Sequence, residues 1–460
     1  MQRNLKVKSR TFNRIYPVCR RQISEHTWQQ LITRVDGVEF FADNIISMAA
    51  ELQLPEYLAE IARMELYVYS LETDRLLPAP FADTLTINPT LELFTNSWKN
   101  LALQFNEGDG QQTPEKGSEH VIVWLQPLSD RIKIKPVSEE DLLAMKMVLE
   151  KLSVQEVVGL GDVLAAAVET TLVRALNEGI IIGPEPGIKR HFNPGDYKDI
   201  DRSFYTARIF SLQWHITQAC DLHCRHCYDR NQYKSLSCEQ ERGILDDLVE
   251  FCSVHKVHGQ VTFTGGNPLL HPDFERLYQD AAERGFTTAI LGNPTTRKQL
   301  ERLIGIQPPA FYQVSLEGLQ EHNDYMRGQG HFNKVLAFLE LLQDLNIFSM
   351  VMLTLTRANI DQVLPLVEIL NHKTDLFTFN RLSLVGEGAN LTAVDISKYP
   401  GFLKTYIKAV GSNPCLGIKD NLLNILYHEQ GHPLFGGCTG HGCGAAFNFI
   451  TLLADGAVHA

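Results

Sequence analysis

The chain has 460 residues, 44% of them hydrophobic, which allows about three domains with packed cores. Its 42 Lys plus Arg against 54 Asp plus Glu give a formal charge of −12, which disfavours bulk nucleic-acid binding because phosphate recognition is mainly a cationic-surface effect. No apolar run approaches the roughly 18 residues of a membrane span, and the basic start "MQRNLKVKSR" lacks a signal peptide's apolar segment; a cytoplasmic chain with no membrane partner is expected. The nine cysteines are clustered, which in such a chain suggests metal or redox chemistry more than disulfides.

Residues 1–80 read as a helical region. "LPEYLAEIARMELYV" places Leu54, Tyr57, Ile61, Met64 and Val68 at steps of three and four, one apolar helical face. Residues 81–185 change texture: "VIVWLQPLSDRIKIKPV" predicts two strands around a Ser-Asp turn. "SEEDLLAMKMVLEKL" then opens a helix with Ser138 and Asp141 in capping-box positions. A last helix stops at Gly179 and "IIIG" resumes as a strand, so a small winged-helix-like module is expected. Residues 186–205, proline-bearing and without apolar period, read as a linker.

From 206 to 390 a βα rhythm begins. Strands are expected at 208–216, 260–264, 287–291, 311–316, 349–355 and 376–384, with the clearest helices in "ILDDLVEFC", "DFERLYQDAAERG", "NKVLAFLELLQDL" and "DQVLPLVEIL". Repeated β-then-α units imply an α/β fold with a parallel sheet, and six of them suit an open or partly closed barrel.

Where the first of these strands ends, "ITQACDLHCRHCYDR" sets Cys220, Cys224 and Cys227 at spacings of four and three. The carboxyl end of a parallel strand is where α/β folds place chemistry. One reading is zinc, with His223 or His226 as fourth ligand, but zinc loops usually come as two separated CxxC-like pairs and no second pair is near. The other is a [4Fe–4S] cluster held by three thiolates, with one iron open to an outside ligand.

CxxxCxxC followed by an aromatic residue resembles the signature of radical S-adenosylmethionine (SAM) enzymes. The resemblance covers about 206–390 and implies a partial (β/α)6 radical SAM barrel. It also implies a [4Fe–4S] cluster on Cys220, Cys224 and Cys227, with SAM chelating the open iron and cleaved by one electron to a 5′-deoxyadenosyl radical. In "TFTGGNPLL", Gly265, Gly266 and Pro268 match the family's GGEP-type turn, which holds the methionine amino group, and Asn267 replaces the usual glutamate; read alone, it is a plain turn. "VSLEGLQEHNDYMRGQGHF" is similar to the stretch in which Ser315 and Arg327 would hold the SAM carboxylate, with Glu317 where Asp is usual. A backbone contact near Tyr228 would seat adenine. "VMLTLTRAN", which would pass adenine, and Arg381 read equally well as scaffold.

Cys252 falls on an apolar helical face and reads as a core thiol; Cys19, Cys238 and Cys415 carry no pattern. Residues 391–460 end in "FGGCTGHGCGAAFNFITLLADGAVHA", where Cys438 and Cys443 precede two short strands around an Asp-Gly turn. This resembles the opening of a SPASM extension and implies auxiliary [4Fe–4S] clusters. The family has a further cysteine just past that turn, so an incomplete, truncated extension is expected, or one continued through a selenocysteine after Ala460. The amino-terminal half resembles peptide-engaging domains, implying a ribosomally made precursor peptide as partner beside a flavodoxin- or ferredoxin-type electron donor. Both halves together look most like the selenobiotic-peptide (thio/seleno-oxazole modification) radical SAM maturases. The rivals are a formylglycine-generating enzyme and a non-catalytic peptide-binding or cluster-carrying module.

Overall fold

The computed structural model describes residues 2–74, 78–105, 112–161, 163, 165–190, 206–230, 236–431 and 443–459. Two compact units divide the chain: Met1–Ser153 with Thr171–Glu185, and Val154–Thr170 with Pro186–Ala460.

The first unit begins with helices at Gln2–Ile15, Pro17–Arg21, Glu25–Arg34, Phe41–Leu52 and Leu58–Asp74. Leu54, Ile61 and Met64 of the expected apolar face are buried, while the helix itself starts only at Leu58 because Pro55 interrupts the run. Strands Glu92–Lys99, Glu115–Gln126 and Arg131–Pro136 form an antiparallel sheet in chain order. The Ser138–Asp141 capping box forms on the helix Glu139–Glu150. The 80/81 boundary drawn from composition falls inside this unit, because Val121 of the sheet lies in the same buried core as Phe12, Trp28 and Met64. Of the expected linker 186–205, residues 191–205 lie outside the described residues, and Ile188–Lys189 pairs antiparallel with Thr206–Ala207.

The second unit is built on β1 (Ile209–Thr217), β2 (His258–Gly265), β3 (Thr287–Leu291), β4 (Tyr312–Ser315), β5 (Ser349–Leu355) and β6 (Leu376–Arg381). Each pairs in parallel with the next. The connecting helices include α1 (Cys238–His255), α2 (Phe274–Glu283), α3 (Arg297–Ile306), α4 (Gln320–Arg327), α5 (His331–Asp344) and α6 (Val363–Leu370). The expected carboxyl-terminal hairpin exists as β7 (Phe449–Leu452) and β8 (Val458–His459), yet it is not a separate layer. β7 adds in parallel beside β1, Phe449 opposite Ser211 and Leu452 opposite Trp214, and extends the sheet to eight strands.

Alternation along these strands decides where a site can lie. Phe210, Leu212, Trp214, Val261, Phe263, Val314, Val351 and Leu353 are buried in one core with the helices. Burial of each such side chain contributes about 1.5–3 kcal/mol. The intervening residues Ser211, Gln213, Gln260, Thr262, Gln313 and Met352 line a cavity of about 1290 Å³. A parallel sheet covered on both faces reads as continuous apolar strands; here Ser211, Gln213, Gln260, Thr262 and Gln313 interrupt the run on the cavity side, among apolar residues such as Phe311 and Phe379. Cys252 packs in the core, as the helical spacing indicates, and burial pushes its thiol up to about 12.

Candidate active site

Cys220, Cys224 and Cys227 sit half-buried as free thiols in the loop after β1. Three neighbouring segments hold that loop. From the turn after β2, Gly266 N–H donates to the Thr217 carbonyl at 2.8 Å and Asn267 N–H to that of Ala219 at 2.7 Å. At the end of α4, Arg225 N–H donates to the Met326 carbonyl at 3.0 Å, and Arg225 Nε to that of Tyr325 at 3.0 Å. Beyond β6, Glu387 N–H donates to the Cys227 carbonyl at 2.9 Å.

The two glycines of the turn are required by space. A Cβ on Gly265 would stand 2.2 Å from the Thr217 carbonyl oxygen, where φ is also +129°, and one on Gly266 would stand 2.3 Å from that of Ala219. Backbone meets backbone there, with no rotamer to yield. Asn267, buried, donates from Nδ2 to Asp221 Oδ1 at 3.0 Å. Asn293, beyond β3, donates to the same oxygen at 2.6 Å, with Nδ2 3.7 Å from Cys220 Sγ. Pro268 opens the short helix Pro268–Leu270. The asparagine in the glutamate's place thus ties the turn to the residue next to Cys220.

Arg327 ends α4 and lies beside Cys224, with Nη1 3.6 Å from its sulfur. Its Nε and Nη2 both donate to Glu317 Oε1, at 2.9 and 2.6 Å. The forked face expected to meet a SAM carboxylate is therefore turned to a carboxylate of the chain itself. Burial pushes the Glu317 carboxyl up, but Arg327 and then His226 outweigh it and hold it down at about 2. Burial likewise raises the Cys224 thiol, opposed by Arg327. His226 Nε2 is 3.3 Å from Glu317 Oε1, and its Nδ1 is buried without a hydrogen-bond partner among the described residues. Ser315, half-buried, closes β4 opposite Met352. Tyr228 is exposed, its hydroxyl 3.1 Å from Nε2 of buried His215.

Among the described residues, no group of three or more His, Cys, Asp or Glu side chains is gathered closely enough to hold one metal ion. The donor set near the loop fits a cluster better than a single ion: three thiols, a cation against one of them, and a buried His226 nitrogen without a partner among the described residues. Cys443 is exposed and lines the large cavity, and Cys438 lies outside the described residues. Arg381 also reaches that cavity, with Nε 2.9 Å from buried Asp420.

Residues 214–370 match the family model of the Radical SAM superfamily. This is a radical SAM fold. The chain is 29% identical over 194 residues to the Fe-coproporphyrin III synthase of Methanosarcina barkeri, covering 40% of this chain and 47% of that protein. It is 28% identical over 187 residues to the mycofactocin maturase MftC of Mycolicibacterium smegmatis, covering 39% and 46%. The chain thus spans about half the length of these relatives. Among solved structures, Streptococcus suis SuiB bound to its precursor peptide SuiA is similar at 15% identity and a TM-score of 0.45, over 74% of this chain and 79% of that one. No helix of the described residues is long and apolar enough to cross a membrane.

The sequence picked out the cysteines and the glycine turn, and His226 only as a zinc ligand, but not Asp221, Asn293 or Glu387. Asp221 and His226 adjoin cysteines and were legible by position. Asn293 and Glu387 come from distant loops, and no local pattern announces them.

Proposed function

We propose that the chain is a radical SAM enzyme that modifies a ribosomally made peptide. The observation that carries the reading is the loop at the carboxyl end of β1, which presents three free thiols and is pinned by the two-glycine turn after β2. Cys220, Cys224 and Cys227 would hold a [4Fe–4S] cluster, the chemistry of which is one-electron cleavage of SAM to a carbon radical that takes a hydrogen atom from substrate. The carbonyls of the Gly265–Gly266–Asn267–Pro268 turn are the acceptors an amino group needs. Ser315 and the Nη1 edge of Arg327 are the donors offered to a carboxylate, and the backbone near Tyr228 is the surface for an adenine.

The maturase name of one relative supports a peptide as substrate, and the resemblance of both halves supports a (seleno)cysteine-containing precursor of the selenobiotic type. The amino-terminal unit would hold that peptide, Cys438 and Cys443 would serve an auxiliary cluster, and a flavodoxin or ferredoxin would deliver the electron.

The test is anaerobic reconstitution with iron and sulfide, followed by dithionite and SAM. 5′-Deoxyadenosine should appear with the wild type and vanish with Cys224→Ala. A fully clustered protein that makes none is a binding module instead. Adding candidate peptides and reading their mass changes separates heterocycle formation from formylglycine.

A further inference from the structure

We propose that Glu317 is a positioning residue for the three-cysteine site: it clamps Arg327 against Cys224 and, with it, sets the electron affinity of the cluster bound there. The inference rests on the reading of Cys220, Cys224 and Cys227 as cluster ligands.

Glu317 is 1% exposed, and every polar group it carries is engaged. Oε1 accepts Nε and Nη2 of Arg327. Oε2 accepts the Thr354 N–H of β5 at 2.8 Å. Its own N–H donates to Asn323 Oδ1 of α4 at 3.0 Å, and its carbonyl accepts Asn359 Nδ2 at 2.8 Å. One residue thereby joins the end of β4 to β5 and to the helix that carries Arg327. A buried carboxylate is costly to desolvate unless its charge is met, and here a single guanidinium meets it with two donors. The nitrogen left over, Nη1, is the one that reaches the Cys224 sulfur. His226 Nε2 completes the group, 3.3 Å from Arg327 Nη2.

Charge and hydrogen bonds at the sulfurs are what move an iron–sulfur potential, and in a buried site a charge a few ångströms away is weakly screened. Arg327 alone would favour the reduced cluster, which carries one more negative charge. Glu317 offsets that positive charge while holding the guanidinium where its Nη1 meets the thiolate. The two side chains therefore act on the potential with opposite signs, and the pair together is nearly neutral.

The experiment is a dithionite titration of the reconstituted full-length protein, monitored by electron paramagnetic resonance without SAM or peptide, with iron content measured alongside. Glu317→Gln should move the midpoint of the one-electron reduction upward and Arg327→Gln downward. The double variant should return close to wild type, because it removes both charges of a nearly neutral pair. Glu317→Asp keeps the charge and should shift the midpoint in the same direction as Glu317→Gln, but less; it decides the matter if Glu317→Gln fails to load iron. Iron-loaded variants whose midpoints stay at wild type, or move in one direction for both single substitutions, would overturn the inference while leaving the cluster itself intact. A wild type that takes up no iron would instead remove the cluster reading, and this inference with it.

Discussion

Replacing Gly266 with alanine tests whether the turn after β2 shapes the cysteine loop. The added Cβ would lie 2.3 Å from the Ala219 carbonyl oxygen and 2.7 Å from that of Gln218, whereas ordinary contact begins at 3.4 Å. The segment just before Cys220 must therefore retreat by about 1 Å. It cannot do so freely, because the Asn267 N–H is bonded to that same Ala219 carbonyl. Overpacking of this kind typically costs about 1–3 kcal/mol, and loss of a buried hydrogen bond adds about 1 kcal/mol. The expected loss is thus about 2–4 kcal/mol in urea unfolding of the radical SAM core. Iron retained after reconstitution should fall as Cys220 moves, and 5′-deoxyadenosine formation by about 100-fold, the usual penalty for a misplacement near 1 Å. A Gly266→Ala protein with wild-type unfolding midpoint and full iron content would show that the turn is not what sets the loop.

Asn267→Asp should place a carboxylate against Asp221, which now accepts the Asn267 amide; a loss of about 1–3 kcal/mol at pH 7 is expected from the lost donor, read by urea unfolding. Tyr312→Phe removes the donor to the Asn293 carbonyl at 2.7 Å and should cost about 1 kcal/mol, with lower iron retention because Asn293 is no longer held beside Asp221. In the first unit, burial raises the Glu65 carboxyl from its ordinary 4.5 to about 7, against the N–H groups of Cys19 and Val18 that favour its ionised form. The folded state therefore holds a proton that the unfolded chain has released. The stabilisation is full below about pH 4.5, declines by roughly 3 kcal/mol as pH rises to about 7, and is level above that. Glu65→Gln should flatten that window in pH-dependent unfolding, and an unchanged slope would refute the assignment.

Much of the core sheet was legible because its strands announce themselves twice, by β-branched and aromatic content and by the helices between them. The expected 287–291 and 349–355 coincide with β3 and β5. β6 ends at Arg381 rather than 384, because the chain then leaves the sheet for the segment that reaches the cysteine loop. Helices α3 and α4 were less legible. α4 is short and polar, and only Asn323, Asp324 and Met326 of its residues are buried, so it carries no apolar stripe. The carboxyl-terminal hairpin was visible as strands, but its partner was not. β7 has two half-buried faces and no alternation to name the edge it joins, and parallel pairing with β1 spans more than 200 residues of chain, beyond what any local pattern encodes.

The pairing of Glu317 with Arg327 shows the same limit at the site. Motif spacing identified both residues, and a motif treats each as a separate donor or acceptor for a ligand. Their separation of ten residues bridges a strand end, a glycine turn and a helix, so only the fold can say that they face one another. Once they do, the physics leaves little freedom. A carboxylate 1% exposed must be neutralised, the nearest cation is the one that also reaches Cys224, and neither charge can be altered without changing the field at the thiolates. A residue that sequence comparison would file under SAM binding is thereby bound first to its own chain, and its reach toward any bound carboxylate is limited to the one nitrogen that Glu317 does not use.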